Sequence, residues 1–157
     1  IVHVVDKVLV PPGVLNVVQM AQANPAAFSS LVGAVVSANL AATLSGAGPF
    51  TVFAPTNTAF QAIASTVAGL STSQLATVLT YHVLADEVLS SELGPVFGTP
   101  VATVAGQNIT INAGTAPVIA TITDTTATPA TIAAVDVRAS NGVIHVIDKV
   151  LIPSLAP

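Results

Sequence analysis

A ten-residue sequence near the start of the chain returns almost unchanged 142 positions later. Residues 2–11 read VHVVDKVLVP and residues 144–153 read IHVIDKVLIP, so seven positions are identical and three exchange Val for Ile. A repeat at this spacing is far longer than a solenoid period and indicates whole domains in tandem. We therefore predict one domain over residues 13–157, preceded in residues 1–12 by the closing strand of another domain and a linker.

The length of the chain is sufficient for one domain with its own apolar core. A chain of 157 residues buries roughly 70% of the surface of its unfolded form, which is enough to fold without a metal or a disulfide. The sequence contains no cysteine. Thiol catalysis, iron–sulfur clusters, cysteine zinc sites and disulfide bonds are therefore excluded for these residues.

Charged residues are rare in this sequence. They make up only 6% of it, against about 25% in an average soluble domain. No Asp, Glu, Lys or Arg occurs between Val8 and Ala85. With three basic residues and a net charge of −4, the chain lacks the clustered Lys and Arg that bind nucleic acid or anionic membranes. We therefore expect no nucleic-acid partner.

The most apolar window of the uncharged region, residues 26–44, is predicted to be an amphipathic helix. It contains Ser, Thr and Asn, and its large apolar residues fall on one helical stripe. A membrane span requires about 20 predominantly apolar residues. The pattern therefore favours a helix packed on a core, and we expect no membrane insertion by this chain.

Hydrophobic periodicity is helical in the first half of the chain and strand-like in the second. Helices are predicted over residues 14–23, 26–44, 57–64 and 71–81, the last opened by a capping box of Ser71 and Gln74. Strands are predicted over residues 49–53, 99–104, 107–112, 118–123, 130–137 and 143–151, with a Thr-rich loop in residues 121–131 and a hairpin turn at Asn141-Gly142. This order indicates the α+β class.

Three segments of the sequence together resemble a known family. Residues 50–60 read FTVFAPTNTAF, residues 141–153 read NGVIHVIDKVLIP, and Tyr81-His82-Val83 lies between them. In this order and spacing they resemble the motifs of the fasciclin I family, over residues 13–153. The residues that we assign to the structural motif are Thr51, Phe53, Pro55, Thr56, Asn57, His145 and Asp148.

The resemblance implies a fasciclin-like fold, with helices packed on a β-sandwich-like sheet core. It also implies an extracellular or cell-surface protein, secreted or membrane-anchored, with several such domains in tandem. Its expected role is adhesion through contact with a cell-surface or matrix protein or a polysaccharide. The sequence has no RGD tripeptide, so an integrin receptor is not expected, and its Ala-, Thr- and Val-rich composition favours a microbial surface protein.

A second hypothesis belongs to a different functional class. The domain would be a binding module for a small lipid or saccharide, with a pocket between the helices and the sheet. A large, closed apolar cavity with a few polar groups would favour this hypothesis. A solid core with an exposed apolar patch would favour adhesion.

No catalytic site, metal site or cofactor is predicted. The histidines are His3, His82 and His145, and no H-x-E, H-E-x-x-H or G-x-S-x-G pattern accompanies them. His145 and Asp148 are three residues apart on a predicted strand, so their side chains should point to opposite faces. We expect that the protein is not an enzyme and that His82 and His145 are structural.

Tyr81 and His82 form the predicted interaction site, because the family resemblance associates this region with receptor contact in some members. They follow a predicted helix and open a strand. The alternative is a core tyrosine whose hydroxyl group is hydrogen-bonded.

Asp148 is the polar residue of the second motif that most requires an explanation. Strand alternation places it on an apolar face with Ile144, Val146, Val150 and Ile152. A carboxylate there must be hydrogen-bonded. We therefore predict that Asp148 is buried and accepts a backbone N–H near the Thr56-Asn57 turn, whereas Lys149 lies on the other face as a solvated or edge charge.

Two further expectations concern the surface of the domain. Asn108-Ile109-Thr110 is a glycosylation sequon, and strand alternation predicts that Asn108 is exposed. Residues 1–12 copy the final strand, so they could self-associate with the sheet of a neighbouring copy.

Overall fold

The computed structural model describes residues 16–46, 48–115 and 118–154. Its helices are α1 (Val17–Gln22), α2 (Pro25–Ser37), α3 (Ala41–Leu44), α4 (Asn57–Ala62), α5 (Ala64–Ala68), α6 (Thr72–Tyr81) and α7 (Leu93–Val96). Its strands are β1 (Phe50–Pro55), β2 (Val83–Leu84), β3 (Pro100–Ala102), β4 (Asn108–Ala113), β5 (Ala120–Thr123), β6 (Ala130–Ala139) and β7 (Gly142–Ile147), and a 3₁₀ turn covers Ser90–Glu92. The α+β class is confirmed. The closing strand and linker predicted in residues 1–12 lie outside the described residues.

Local sequence signals explain where the helices begin. Asn16 caps α1 in a capping box, in which its side chain accepts from the N–H of Gln19 at 2.9 Å and the Gln19 side chain accepts from the N–H of Asn16 at 3.1 Å. Pro25 occupies the first position of α2, where its missing N–H costs nothing. The predicted capping box of Ser71 and Gln74 opens α6.

The predicted helix over residues 26–44 is interrupted after Ser37. Asn39 adopts a left-handed conformation with φ of 57°, which asparagine tolerates better than most residues and which ends a helix. The chain resumes as the short helix α3. The single long helix was therefore a wrong prediction, because the apolar spacing continues across a break that depends on one backbone angle.

The strands form one seven-stranded mixed sheet in the order β2-β1-β7-β6-β5-β4-β3. β7 is parallel to β1 and antiparallel to β6. The N–H of Val104, just after β3, donates to the carbonyl of Val83 on β2 at 2.8 Å. The two ends of the sheet therefore meet, and the sheet is nearly a barrel.

Two apolar clusters lie on the two faces of the central strands. Val52 and Ile144 face the helices, whereas Phe53, Ile147 and the isoleucines of β4 to β6 fill the inside of the curved sheet. Because β1 and β7 are covered on both faces, their sequences are apolar at nearly every position.

The hairpin between β6 and β7 positions the helices as well as the strands. A Cβ atom on Gly142 would lie 2.0 Å from the carbonyl oxygen of Phe50, so only glycine fits there. The side chain of the preceding residue, Asn141, accepts from the N–H of Val17 at 2.9 Å and donates to the carbonyl of Leu44 at 2.8 Å. The predicted Asn141-Gly142 turn is thus present, and it also fixes α1 and α3 against the sheet.

β7 ends at Ile147, although a strand was predicted through residue 151. Pro55 is the last residue of β1 and the Cα partner of Ile147. The N–H of the next residue, Thr56, still donates to the carbonyl of Ile147 at 3.2 Å. Thr56 is also the N-cap of α4, so the chain turns into a helix there and β1 gives β7 no further partner. Residues 148–154 continue without strand pairing.

Candidate functional site

The two signature segments lie side by side as the central strands β1 and β7. Phe53 is the Cα partner of His145, and its ring stacks on the imidazole with centroids 5.7 Å apart. Thr51 is fully buried. Its Oγ1 donates to the carbonyl of Asp86 at 2.6 Å and accepts from the N–H of Val88 at 2.8 Å. The first motif thereby fixes the loop that follows β2.

Thr56 and Asn57 connect the end of β1 to the helices. Thr56 caps α4, where its Oγ1 accepts from the N–H of Ala59 at 3.4 Å. The side chain of Asn57 accepts from the N–H of Ser30 at 2.9 Å and donates to the carbonyl of Ala26 at 3.1 Å. These bonds fix the start of α2 against the start of α4.

His82 is buried and is hydrogen-bonded through both ring nitrogens. Nδ1 donates to the carbonyl of Val78 at 2.7 Å, and Nε2 accepts from the N–H of Leu151 at 2.8 Å. This pattern requires a neutral ring with its proton on Nδ1. Burial lowers the pKa of His82 to about 4, so the ring is neutral at physiological pH.

Tyr81 is also buried, and its hydroxyl group donates to the carbonyl of Asn108 at 3.0 Å. Burial, and secondarily the nearby Asp124 carboxylate, raise the pKa of Tyr81. Neither Tyr81 nor His82 presents its side chain at the surface of the folded domain. Their predicted role in partner contact stays a prediction, and direct contact would require local opening of the domain.

Ser90, Asp136 and His145 lie close together without forming a catalytic triad. The Asp136 carboxylate accepts from the hydroxyl and the N–H of Ser90. Both ring nitrogens of His145 are bonded to backbone, because Nε2 donates to the carbonyl of Val88 at 2.7 Å and Nδ1 accepts from the N–H of Asp136 at 3.3 Å. In this arrangement the imidazole does not accept the serine proton.

Burial and hydrogen bonds act in opposite directions on the charge states of this cluster. Burial lowers the pKa of His145, although its bond to Val88 and the nearby Asp136 act in the opposite direction. Burial would raise the pKa of Asp136, but the hydrogen bonds from Ser90 outweigh it and hold that pKa below its ordinary value. The register of β6 against β7 shifts between Ala134 and Val137, which forms a bulge at Asp136. The cluster is therefore a structural contact between β7, this bulge of β6 and the turn at Ser90.

The prediction that Asp148 is buried near the Thr56-Asn57 turn is wrong. Its side chain is exposed, and its carboxylate accepts from the N–H of Thr131 on β6 at 2.8 Å. The predicted bond to a backbone N–H is present, but the donor belongs to a different strand. The prediction assumed that strand alternation continues through Asp148. β7 ends at Ile147, one residue before Asp148, so the alternation no longer fixes the side of the sheet on which Asp148 lies.

The prediction that Lys149 is a solvated charge is also wrong. Its Nζ lies 2.9 Å from the carboxylate of Asp124, and it also donates to Thr126 and to the carbonyl of Thr128. The Lys149 side chain is 24% exposed, whereas that of Asp124 is 0% exposed. A pair of this kind is stable only where further hydrogen bonds complete it.

Asp124 has these further bonds and was not identified from the sequence. Its carboxylate accepts from the N–H and hydroxyl of Thr126 and from the N–H of Ile152 at 2.9 Å. Burial would raise the pKa of Asp124, but these bonds and Lys149 outweigh it and lower that pKa. The available signal was an Asp followed two residues later by Thr, a spacing typical of a side-chain-closed turn, in the predicted Thr-rich loop.

Side chains from three parts of the fold fix residues 148–154. The first is His82 at the end of α6 and the second is the β5–β6 loop, which supplies Asp124. The third is Gln107 before β4, whose side chain exchanges two hydrogen bonds with the backbone of Ser154 at 2.9 and 3.0 Å. Apart from the N–H of Asp148, which donates to the carbonyl of Thr131 on β6 at 3.1 Å, these side-chain bonds hold the segment after β7 in place of a strand ladder.

The interior between the helices and the sheet is almost filled. The cavity there has a volume of about 30 Å³ and an apolar lining that includes Val17, Leu31, Val52 and Ile144. Such a volume holds about one water molecule. It is far below the several hundred Å³ of a typical small-ligand pocket.

A larger depression lies on the outside of the helical layer, and we call it the helical groove. It has a volume of about 380 Å³. Its lining residues come from α2, α4, α5 and α6, and they are Ser30, Ala34, Ser37, Phe60, Gln61, Ala64, Val67, Ala68 and Leu75. None of them is charged, and the polar ones are hydroxyl or amide side chains.

Charge is distributed unevenly over the described residues. The described Asp, Glu, Lys and Arg residues are Asp86, Glu87, Glu92, Asp124, Asp136, Arg138, Asp148 and Lys149. All of them follow β2, so the helices α1 to α6 contain none. The helical groove therefore lies in an uncharged half of the domain.

The structure also places the glycosylation sequon predicted at Asn108-Ile109-Thr110, at the start of β4. Asn108 is exposed while Ile109 and Ile111 are buried, which confirms the predicted exposure of the sequon.

Within residues 16–46, 48–115 and 118–154, no three His, Asp or Glu side chains come together as a metal site would require. None of the described helices has the length and apolar character needed to cross a bilayer.

The fold and the paired motifs agree with comparisons to known proteins. The family model described as "Fasciclin domain" matches residues 26–153. The chain therefore belongs to the fasciclin domain family. A solved structure of a FAS1 domain pair from the insect cell adhesion molecule Fasciclin I has the same fold, with a TM-score of 0.57 and 21% identity over 76% of this chain and 40% of that one.

Similar proteins occur in bacteria and in animals. The chain is 40% identical to Protein sll1483 of Synechocystis, over 90% of this chain and 75% of that protein. It is 33% identical to the transforming growth factor-beta-induced protein ig-h3 of Sus scrofa, over 94% of this chain and 20% of that protein. It is 34% identical to the cell surface glycolipoprotein MPB83 of Mycobacterium bovis, over 73% of this chain and 48% of that protein.

Proposed function

We propose that this chain is an adhesion module of an extracellular or cell-surface protein, and that its helical groove binds a cell-surface or matrix protein. Family membership supports this class, since one similar protein is a cell surface glycolipoprotein and a structure of the same fold comes from a cell adhesion molecule. The proposed role is binding, without catalysis and without a cofactor.

The observation that carries the proposal is the contrast between the inside and the outside of the helical layer. The inner cavity of about 30 Å³ leaves no room for a lipid or saccharide, which argues against the small-ligand hypothesis. The outer groove of about 380 Å³ is open, apolar at its base and uncharged. Apolar concave surfaces of this kind favour contact with another macromolecule.

The composition of the groove favours a protein partner over a polysaccharide. Sugar rings bind well to exposed flat aromatic side chains, but the sequence has no Trp and its one Tyr, Tyr81, is buried. Phe60 is the aromatic residue of the groove, and it is only 7% exposed. Aliphatic residues such as Ala64 and Val67 instead fit the apolar side chains of a protein.

Tandem organisation is part of the proposal. The match between residues 2–11 and 144–153 supports a longer protein in which such domains follow one another. Repeated modules would raise the avidity of weak individual contacts without any new contact.

The experiment compares binding of the chain to surfaces coated with matrix protein and with neutral cross-linked dextran. The groove variants are Ala64→Glu and Ala68→Glu, both at exposed positions in α5. Ala42→Glu, an exposed position on α3 outside the groove, is the matched control. We expect binding to matrix protein that falls about tenfold in the groove variants, because an unpaired charge is costly to bury, and that is unchanged in the control. Binding to dextran alone, or equal loss in all variants, would exclude the proposal.

A further inference from the structure

The closing segment, defined as residues 144–153, is recognised by the rest of the domain through a specific set of groups. His145 is bonded to Val88 and Asp136, Asp148 to Thr131, and Lys149 to Asp124. The N–H groups of Leu151 and Ile152 donate to His82 and Asp124. Within the described residues, every buried side-chain nitrogen or oxygen has a hydrogen-bond partner. The site therefore fits one sequence pattern closely.

Residues 2–11 carry the same pattern. His3, Asp6 and Lys7 correspond to His145, Asp148 and Lys149. The apolar residues of the second half of the segment also correspond, since Val8, Leu9 and Pro11 match Val150, Leu151 and Pro153. Every side chain of the closing segment that forms one of these hydrogen bonds thus has an identical counterpart near the start of the chain.

The three differences between the copies remove one methylene group each. Val2, Val5 and Val10 stand where the closing segment has Ile144, Ile147 and Ile152. Ile144 and Ile147 are buried, with 3% and 0% exposure. The smaller valines fit these positions without collision. The loss of two buried methylene groups gives the native segment a preference of about 15-fold.

The short connection between residues 2–11 and α1 favours binding of these residues to the closing-segment site of a second copy over binding to the site of their own chain. Ser154 is bonded to Gln107 on the side of the sheet where β7 ends, whereas Val17 is bonded to Asn141 where β7 begins. Residues 12–15 would have to span this distance within one chain. Fully extended, they reach about 17 Å, which is about the length of β7 alone. A second copy imposes no such limit.

We propose that residues 2–11 of one chain bind the site of the closing segment in a second copy when that site opens. β6 and β1 of the second copy would pair with residues 2–5, and its Asp124 would accept from Lys7. The result is self-association by strand addition, in which residues 2–11 of one chain take the place of the closing segment of another. This inference does not rest on the proposed adhesion function.

The test uses engineered cysteines in the full chain, because the natural sequence has none. Ala134 on β6 is the Cα partner of Val146, and Val4 is the counterpart of Val146. Chains with Val4→Cys and chains with Ala134→Cys are mixed in denaturant, refolded together at high concentration and oxidised. A disulfide between the two variants can form only between chains. A chain with both Ala134→Cys and Val146→Cys calibrates the geometry, and Ser73→Cys on exposed α6 replaces Ala134→Cys as the mismatched control.

We expect a disulfide between positions 4 and 134 at a yield well above that between positions 4 and 73. Adding Ile144→Val, Ile147→Val and Ile152→Val to the Ala134→Cys chain should raise the yield by up to about 15-fold, because it removes the native preference. Adding Lys7→Ala to the Val4→Cys chain should lower it several-fold. A yield equal to the mismatched control, or one that the isoleucine substitutions leave unchanged, would overturn the proposal.

Discussion

The N–H of Leu151 donates to Nε2 of His82 at 2.8 Å, so the residue that caps α6 also fixes the chain after the last strand. The other ring nitrogen, Nδ1, donates to the carbonyl of Val78. A protonated imidazole carries a hydrogen on both nitrogens and can no longer accept from Leu151. The contact between α6 and the closing segment therefore depends on a neutral ring.

Acid should destabilise the domain in a defined pH window. The pKa of His82 is about 4 in the folded state, against about 6.5 in an unfolded chain. The unfolded state therefore takes up a proton first as the pH falls. His82 should lower the free energy of unfolding by about 3 kcal/mol between pH 6.5 and pH 4. Urea unfolding measured at intervals from pH 7.5 to pH 4 checks this.

The control for this prediction is His82→Gln, which removes the titrating group. Its free energy of unfolding should be lower at pH 7 but should vary less between pH 6.5 and pH 4. The lowered pKa of His145 acts in the same direction, so some variation should persist. The pKa values of Asp124 and Asp136 are lowered in the folded state. Both carboxylates therefore stabilise the fold above their unfolded-state pKa, and this stabilisation is lost as the pH falls through the folded-state pKa. A wild-type stability that is constant from pH 7 to pH 4 would contradict the histidine assignment.

Replacing Asp124 or Asp148 by alanine compares the loss of a buried carboxylate with the loss of an exposed one. Asp124→Ala should destabilise by roughly 2–4 kcal/mol, because it leaves Lys149 and the N–H of Ile152 without their acceptor. Asp148→Ala removes one bond, from Thr131, at an exposed site and should cost less than about 1 kcal/mol. Thermal and urea unfolding of both variants measure the difference. A larger loss of stability in Asp148→Ala than in Asp124→Ala would contradict this account and favour the buried Asp148 predicted from the sequence.

Two glycine substitutions test the close contact between the central strands β1 and β7. Gly142→Ala would place a Cβ atom 2.0 Å from the carbonyl oxygen of Phe50 and should destabilise by about 3 kcal/mol or more. A Cβ atom on Gly33, within α2, would meet no atom within 4 Å outside the backbone of its own helix. Gly33→Ala should stabilise by about 0.5–1 kcal/mol, because alanine favours helix. Circular dichroism melting curves distinguish them, and a neutral Gly142→Ala variant would refute the packing described.

Asn108 should accept an N-linked glycan when the chain is secreted from a eukaryotic host. The side chain is exposed at the start of β4, so a glycan there meets no packed neighbour. A mobility shift that a glycosidase removes, and that is absent from Asn108→Gln, is the expected result. A secreted wild-type chain without the shift would show that the site is not accessible to the transferase.

The sequence predicted those parts of the molecule that depend on local patterns. The capping box at Ser71 and Gln74 and the exposure of Asn108 each follow from residues close in the chain. The Asp124–Lys149 pair joins residues 25 positions apart, and its formation depends on where β7 ends. β7 ends where the neighbouring strand β1 gives way to α4 at Thr56, a contact that no single segment of sequence contains.

The central claim is that the uncharged helical groove makes this fasciclin domain adhesive. Its most direct test is the retention under flow of beads coated with the chain on a layer of immobilised matrix protein. We predict retention above that of albumin-coated beads, a loss of about tenfold with Ala64→Glu and Ala68→Glu, and wild-type retention with Ala42→Glu. Retention no greater than that of albumin-coated beads, or retention that the groove substitutions leave unchanged, would contradict the claim.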